Sequence, residues 1–376
     1  MKMKLVGAAA LLSFAGAAHA QSSVTLFGAI DSGLLYQNKS IAAPIPRAKN
    51  QGSVFAFNNG GIYASFWGMK GTEDIGGGYH VNFRLQSSFM NGNGKSGLAD
   101  TAGAASIFNM VSSVGLSGPF GTVTMGRQFA PMALAMAETD VRRGNYFGSI
   151  FTAWIGMNQA AGFNFASTNG PIGALYDSNA IVYESPNFHG ASAALEYAPG
   201  GVAGSFQGGT RESAVLKYAN YGLHLTALYY NGHDTNPSPA ATTPPTGLNN
   251  NRYAYFGALY TIHDFSVSAS YANGKNPAHS NLVNLDLYSA GLGYQFSPAF
   301  QVTTGVYYLK DRNNSANKST TVAGGGSYSL SKSTTLYAQV GYVDNKGNMG
   351  SMISYGQFVP AGTSTTAANI GMRHTF

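Results

Sequence analysis

The chain has 376 residues, no cysteine, a formal net charge of +6 and only 10% charged residues, against roughly 25% in ordinary soluble domains. The missing cysteines exclude a disulfide framework, thiol catalysis and Cys-ligated metals, and the mild, scattered charge forms no Lys/Arg cluster for nucleic acid. A soluble protein this poor in charge would struggle to cover its surface, whereas 49 Gly, 23 Tyr and 22 Phe suit a barrel with an apolar, aromatic face toward lipid and a polar face toward water.

The N-terminus reads as an address. Lys2 and Lys4 form a charged start, Leu5 to Ala17 are small and apolar, and Ala18-His19-Ala20 supplies a small-x-small cleavage pattern. An apolar run of about 15 residues falls short of the roughly 20 that span a bilayer as a helix. Residues 1–20 are therefore expected to be a signal peptide cleaved after Ala20, taking two positive charges with it, and residues 21–376 a single barrel domain. No other stretch is long and apolar enough for a transmembrane helix.

The body reads as short alternating segments between turn residues, with almost nothing of helical period. From Val24 to Tyr36, Val24, Leu26, Ile30, Leu34 and Tyr36 share one face, and Thr25, Asp31 and Gly33 the other. Tyr79, Val81, Phe83, Leu85 and Phe89 alternate with His80, Asn82, Arg84, Gln86 and Ser88. Phe265, Val267, Ala269 and Tyr271 oppose Ser266, Ser268 and Ser270, and Phe300, Val302, Val306 and Tyr308 oppose Gln301, Thr303 and Gly305. The sixth, seventh and tenth segments show the least period. In the last, Ile370, Met372, His374 and Phe376 face away from Asn369, Arg373 and Thr375. A terminal Phe after alternating apolar residues resembles the signal that outer-membrane barrels present to their assembly machinery.

Turn chemistry separates two kinds of connection. Tight ones fall at Glu73–Gly78, Ser117–Gly121, Pro186–Gly190, Ala219–Gly222, Ile262–Asp264, Ser297–Ala299 and Ser331–Ser333. Long ones fall near 37–61, 90–106, 128–178, 198–210, 232–250, 273–283, 311–317 and 345–364. Seven tight turns alternating with eight long loops join about 16 strands. This predicts an all-β fold, a transmembrane antiparallel barrel wide enough for an aqueous channel.

Particular phrases then carry a resemblance. Ser23-Val24-Thr25-Leu26-Phe27-Gly28, Gly71-Thr72-Glu73-Asp74-Ile75-Gly76-Gly77-Gly78 and Val114-Gly115-Leu116-Ser117-Gly118 are similar to the trimeric porins of β-proteobacteria. So are Phe120-Gly121-Thr122-Val123-Thr124-Met125-Gly126-Arg127-Gln128, Tyr183-Glu184-Ser185-Pro186-Asn187-Phe188-His189-Gly190, Tyr328 with Leu330-Ser331-Lys332, and Gly371-Met372-Arg373-His374-Thr375-Phe376. The matches run in order along the mature chain.

The resemblance implies a homotrimer of 16-stranded barrels in the Gram-negative outer membrane, each narrowed by an inward-folded third loop. That loop, about Phe129 to Asp177, is the longest of the eight and carries Glu138, Asp140, Arg142 and Arg143. Acidic loop residues would face basic wall residues across the constriction, selecting solutes by charge and width. Arg84 and Arg127 are the wall candidates, with Lys70, Lys217, Arg211 and Asp31 as further lumen-facing ones. Arg127 shares the face of Val123 and Met125 by strict alternation, so only a bulge or strand end would turn it inward. Phe66, Met110, Leu175 and Val182 stand where family members often carry Arg, which weakens the expectation of anion preference.

Tyr36, Tyr79, Tyr271, Tyr308 and Phe376 read as interfacial girdle aromatics, with subunit contact as the alternative. The eight His are spread singly, and neither G-x-S-x-G nor S-x-x-K occurs. Asn91-Gly92-Asn93-Gly94-Lys95-Ser96 lacks the leading Gly of a phosphate loop, since position 89 is Phe. The expected function is passive, cofactor-free diffusion of small hydrophilic solutes and ions. The partners would be those solutes, lipid, two further copies of the chain and the assembly machinery. The alternatives are a substrate-selective channel or, more remotely, a barrel lipase or adhesin.

Overall fold

The computed structural model describes residues 23–43, 48–97, 106–163, 170–233, 250–276 and 283–376; the signal-peptide cleavage after Ala20 lies outside them. The chain begins with β1 (Ser23–Gln37), β2 (Val54–Asn58), β3 (Ser65–Gly76), β4 (Tyr79–Phe89), β5 (Val111–Gly118) and β6 (Gly121–Phe129). Then come β7 (Tyr176–Glu184), β8 (Ala191–Ala198), β9 (Arg211–Asn220), β10 (Leu223–His233), β11 (Asn250–Ile262) and β12 (Phe265–Lys275). The last are β13 (Asn284–Ser297), β14 (Phe300–Asp311), β15 (Lys318–Ser329), β16 (Thr334–Lys346) and β17 (Ser364–Thr375).

Neighbouring strands pair antiparallel throughout, and β17 returns to β1, so the sheet closes on itself. Both β2 and β3 pair with β1, β2 opposite Gly33 to Gln37 and β3 opposite Ser23 to Ala29. They are two pieces of one stave interrupted at 59–64, and the barrel has the 16 staves that the turn pattern predicts. The tight turns and the later long loops fall where turn chemistry puts them, but the first long loop, expected at 37–61, is shortened by β2, whose residues pair with β1.

Alternation also assigns the faces. Leu26, Val114, Met125, Leu216, Phe256, Leu292, Val340 and Ile370 project outward and are exposed, as lipid-facing residues of an isolated barrel must be. Rings mark the edges of that band. Phe265, Tyr294, Phe296, Phe300 and Tyr328 touch in sequence near the tight turns, at 4.6, 4.7, 5.3 and 6.5 Å. Tyr271, Tyr288 and Tyr308 touch near the long loops, at 5.1 and 6.4 Å. On β14, Phe300 and Tyr308 lie roughly 27 Å apart along the strand and roughly 20 Å apart along a tilted barrel axis. That spacing fits a thin hydrocarbon layer.

The seam is finished by a reciprocal pair. Gly28 N donates to Phe376 O at 3.0 Å, and Phe376 N donates to Gly28 O at 3.1 Å. The Phe376 ring lies over Gly28 so closely that any side chain there would collide with it. Replacing Gly28 by Leu should therefore displace the ring at the closing rung, costing about 2 kcal/mol. The folded fraction, read from heat-modifiable mobility on unboiled gels, should fall; a Gly28→Leu barrel that folds like the parent would refute this packing role.

Candidate pore constriction

The third long loop enters the barrel between β6 and β7 and contains two helices that the periodicity reading did not anticipate. These are α1 (Pro131–Glu138) and α2 (Ile150–Ala160). Both are too short to stand out as helical period, but their starts carry local signals. Pro131 occupies the first turn of α1. Ser149 caps α2 by accepting from Phe151 N at 3.1 Å, while Thr152 Oγ1 accepts from Ser149 N at 3.0 Å.

The loop is held by apolar packing and by buried charge. α1 lies against the inner faces of β8 to β11, and α2 against β13 and β14. Met132, Met136, Trp154, Met157 and Ile172 from the loop are buried with the wall side chains Tyr230, Tyr253, Tyr255 and Tyr307. Asp140, only 3% exposed, accepts from Ile150 N at 3.1 Å, Gly144 N at 3.3 Å and Tyr307 Oη at 2.9 Å. Burial pushes its carboxyl above the usual range, against the pull of these donors and of Arg142. Arg142, 2% exposed, donates to the carbonyls of Phe147, Gly148 and Thr303 and to Gln339 Oε1. Both residues, expected on the constriction surface, are engaged as anchors of the loop; Asp140 is corrected to a buried position, while Arg142 still borders the second cavity described below. The loop backbone and opposite wall leave polar groups that only buried charges can satisfy.

An aromatic bridge crosses the interior beside them. Tyr63, in the break between β2 and β3, shares a 2.8 Å hydrogen bond with Tyr176 at the start of β7. Tyr63 also stacks near Tyr146 of the loop at 4.7 Å, and Tyr146 meets Phe151 and Tyr355 at 5.3 and 4.7 Å. The break is set by Asp31, which accepts from the backbone of Gly61, Ile62 and Tyr63 at 3.0–3.1 Å and from Tyr337 Oη at 2.6 Å. Asp31 is fully buried and also meets Arg373 at 3.3 Å. Its expected place facing solute is thus corrected as well.

The remaining aqueous space has a charged wall. A cavity of about 570 Å³ is lined by Lys70, Arg84, Thr72 and Asn82 on one side and by Phe129, Pro131, Leu134 and Val182 on the other. Lys70 and Arg84 are cross-strand neighbours in register, 5.5 and 5.2 Å from the centre of the Phe27 ring. Arg127 turns inward at a β-bulge between Gly126 and Gln128, where Gly126 has φ +119°. Its guanidinium donates to Asn109 O and Ser178 Oγ, both at 2.8 Å, and sits over Tyr176. Arg143 is exposed and lines a second cavity of about 540 Å³ with Asn145, Gln301, Gln339 and Tyr337.

Two candidates meet each other. Glu138 of α1 pairs with Lys217 of β9 at 3.1 Å. Arg211 pairs with the buried Asp177 beside Glu196, away from the Lys70–Arg84 wall. The base that sequence reasoning passed over is Arg373, whose place on the polar face of the last strand was the available signal.

Residues 7–348 match the family model described as Gram-negative porin. The chain belongs to that family. This porin is 29% identical over 395 residues to outer membrane porin protein 32 of Delftia acidovorans, with all of both chains covered. Its fold is that of the anion-selective porin from Comamonas acidovorans, with a TM-score of 0.74, 23% identity, and coverage of 95% of this chain and 100% of that one. The trimer form of OmpT from Vibrio cholerae shares it with a TM-score of 0.64, 16% identity, and coverage of 94% and 99%.

The porin is an outer-membrane channel for passive diffusion of small hydrophilic solutes and ions. Of the positions where the resemblance led to an expectation of Arg, Met110 and Leu175 are buried in the loop's apolar core and Phe66 packs against it. Val182 lines the cavity. Because Asp140 holds the loop to the wall, Asp140→Ala should strand the Tyr307 hydroxyl and two amides, costing about 3 kcal/mol locally. Single-channel recordings should then give a larger and noisier conductance with the barrel band on gels intact. Conductance and noise equal to the parent would refute the anchoring.

Proposed function

We propose that this porin is a homotrimeric general diffusion channel with a modest anion preference, exported after cleavage following Ala20. The observation that carries the preference is the unequal fate of the interior charges. Asp31 and Asp140 are buried and committed to backbone donors, and Glu138 is matched by Lys217. Lys70, Arg84, Arg142 and Arg143 border the two cavities, against only Glu184 and Asp264 among carboxylates. A permeating ion therefore meets more positive than negative potential. The anion selectivity named for the Comamonas acidovorans porin supports the same reading.

Reversal potentials in a KCl gradient test this directly. A unit charge about 7 Å from a passing ion in water is worth about 0.6 kcal/mol. Lys70→Gln with Arg84→Gln should therefore lower the chloride-over-potassium ratio several-fold, less at high salt. An unchanged ratio would remove these two residues from the selectivity. Conductance should appear in groups of three steps if the unit is a trimer, for which the trimer form of OmpT is the supporting precedent; strictly single steps would count against it.

A second reading, a channel selective for organic anions with an apolar body, is supported by the same cavity. Its basic wall at Lys70 and Arg84 faces Phe129, Pro131, Leu134 and Val182. An aromatic carboxylate should then block chloride current saturably and more strongly than acetate. Flux that depends on solute size alone would dismiss it.

A further inference from the structure

The third loop forms a hollow of its own beside the two aqueous cavities. This recess of about 250 Å³ is lined by the rings of Tyr63, Phe129 and Phe151, by Ala133 and Ala137 of α1, and by Arg143. It shares Phe129 and Leu134 with the first cavity and Arg143 with the second, so it adjoins both. Small residues keep it open. Ala133 and Ala137 are one turn apart on α1 and present only methyl groups, and a side chain at Gly144 would meet Ala137 Cβ at 3.1 Å. Larger residues at these positions would close the hollow.

The lining is apolar except at one point. Arg143 is the only charged residue among the described residues that line the recess. The Tyr63 hydroxyl is engaged with Tyr176 at 2.8 Å, so water inside finds few side-chain partners. An apolar cavity of about 150 Å³ already takes a benzene ring in place of water. Arg143 has capacity left for a solute. It is exposed, and its backbone is left-handed at φ +53°, which a residue with a side chain adopts at a cost. Apart from its amide, which donates to Asp140 O at 2.8 Å, it has no hydrogen bond or ion pair among the described residues. Arg142 next to it, by contrast, commits its guanidinium to Phe147, Gly148, Thr303 and Gln339.

We propose that this recess is a binding subsite for aryl carboxylates, with the ring among Tyr63, Phe129 and Phe151 and the carboxylate on Arg143. The inference deepens the second reading above and rests on it, but it moves the site from the Lys70–Arg84 wall to the loop. Volume, walls and charge agree on the ligand class. The recess has room for one six-membered ring with a short acid, and aromatic walls offer edge and face contacts. A guanidinium presents the donor fork that a carboxylate fills. Acetate lacks the first contact and a neutral ring lacks the second. Because the recess adjoins both cavities, its occupant stands beside the permeation path, and occupancy reads out as block.

The test is block of chloride current through the full mature porin in planar bilayers by benzoate, with acetate and benzamide as the solutes lacking ring or charge. The parent should reach half-block at about a tenfold lower concentration of benzoate than of either control. Arg143→Gln should bring benzoate to the level of benzamide. Ala133→Leu, which fills the recess and leaves every cation in place, should bring it to the level of acetate. Lys70→Gln with Arg84→Gln should keep the parental benzoate-to-acetate ratio. Each variant is scored against its own current before solute is added and checked for the barrel band on unboiled gels, with Ala137→Leu replacing Ala133→Leu if that band is lost. A parental ratio in either Arg143→Gln or the filled variant would overturn the proposal. So would a ratio lost only in the Lys70 and Arg84 variant, which would return the site to that wall and leave the second reading standing. Block of the parent that does not saturate would dismiss the second reading and this inference with it.

Discussion

A strand inside a bilayer has no water to satisfy its amides and carbonyls, and each group left unpaired costs several kcal/mol. Every strand must therefore have two neighbours, and the first and last must find each other. The β1–β17 register, ending in the reciprocal Gly28–Phe376 pair, supplies that closure. Much of the remaining structure follows from it. A closed sheet has one face to lipid and one to water, so side chains alternate. Strands reverse through tight turns on one side, and charge is almost absent from the outer band. The low charge content of the chain reflects the same constraint.

The same rule operates where the wall is broken. At residues 59–64 the stave formed by β2 and β3 loses its ladder, and the amides of Gly61, Ile62 and Tyr63 would be stranded inside the barrel. Asp31 receives all three. Inside the third loop, Asp140 does the same for Gly144 and Ile150, and Arg142 collects carbonyls from the loop and from β14. Buried charges here substitute for a sheet that is not present. They are costly to bury alone and are stable because their donor or acceptor capacity is filled.

How much of this the sequence discloses depends on what each side chain faces. Where one face meets lipid and the other water, as in β4, β12 and β14, the period of two is plain. It fades in β7, β8 and β11, which border the third loop or its ends. On β11, Tyr253 and Tyr255 point inward against α1 while Phe256 and Tyr260 point outward. Both faces are then apolar and alternation disappears, although the strand is regular. Arg127 illustrates a second limit. Alternation places it outward, and only the bulge at Gly126, a backbone feature, brings it to the interior. Asp31, Asp140 and Arg142 illustrate a third. A charge on the polar face can serve solute or backbone, and the difference lies in segments far away in the chain, as with Asp31 of β1 and Tyr337 of β16.

These limits converge on the distribution of charge left over. Inside the barrel, acceptors are in demand wherever a loop or break frees an amide, and Asp31 and Asp140 are drawn out of the lumen to meet that demand. Lysines and arginines are bound less completely, because the carbonyls of a closed ladder are already paired. The two cavities keep both signs, Lys70, Arg84, Arg142 and Arg143 against Glu184 and Asp264, so the anion preference proposed above needs no dedicated ring of bases. The outer face has the opposite geometry and the same outcome. Its ladder needs no side chain, Asp286 and Asp344 answer only their nearest cations, and the others stand at the long-loop rim.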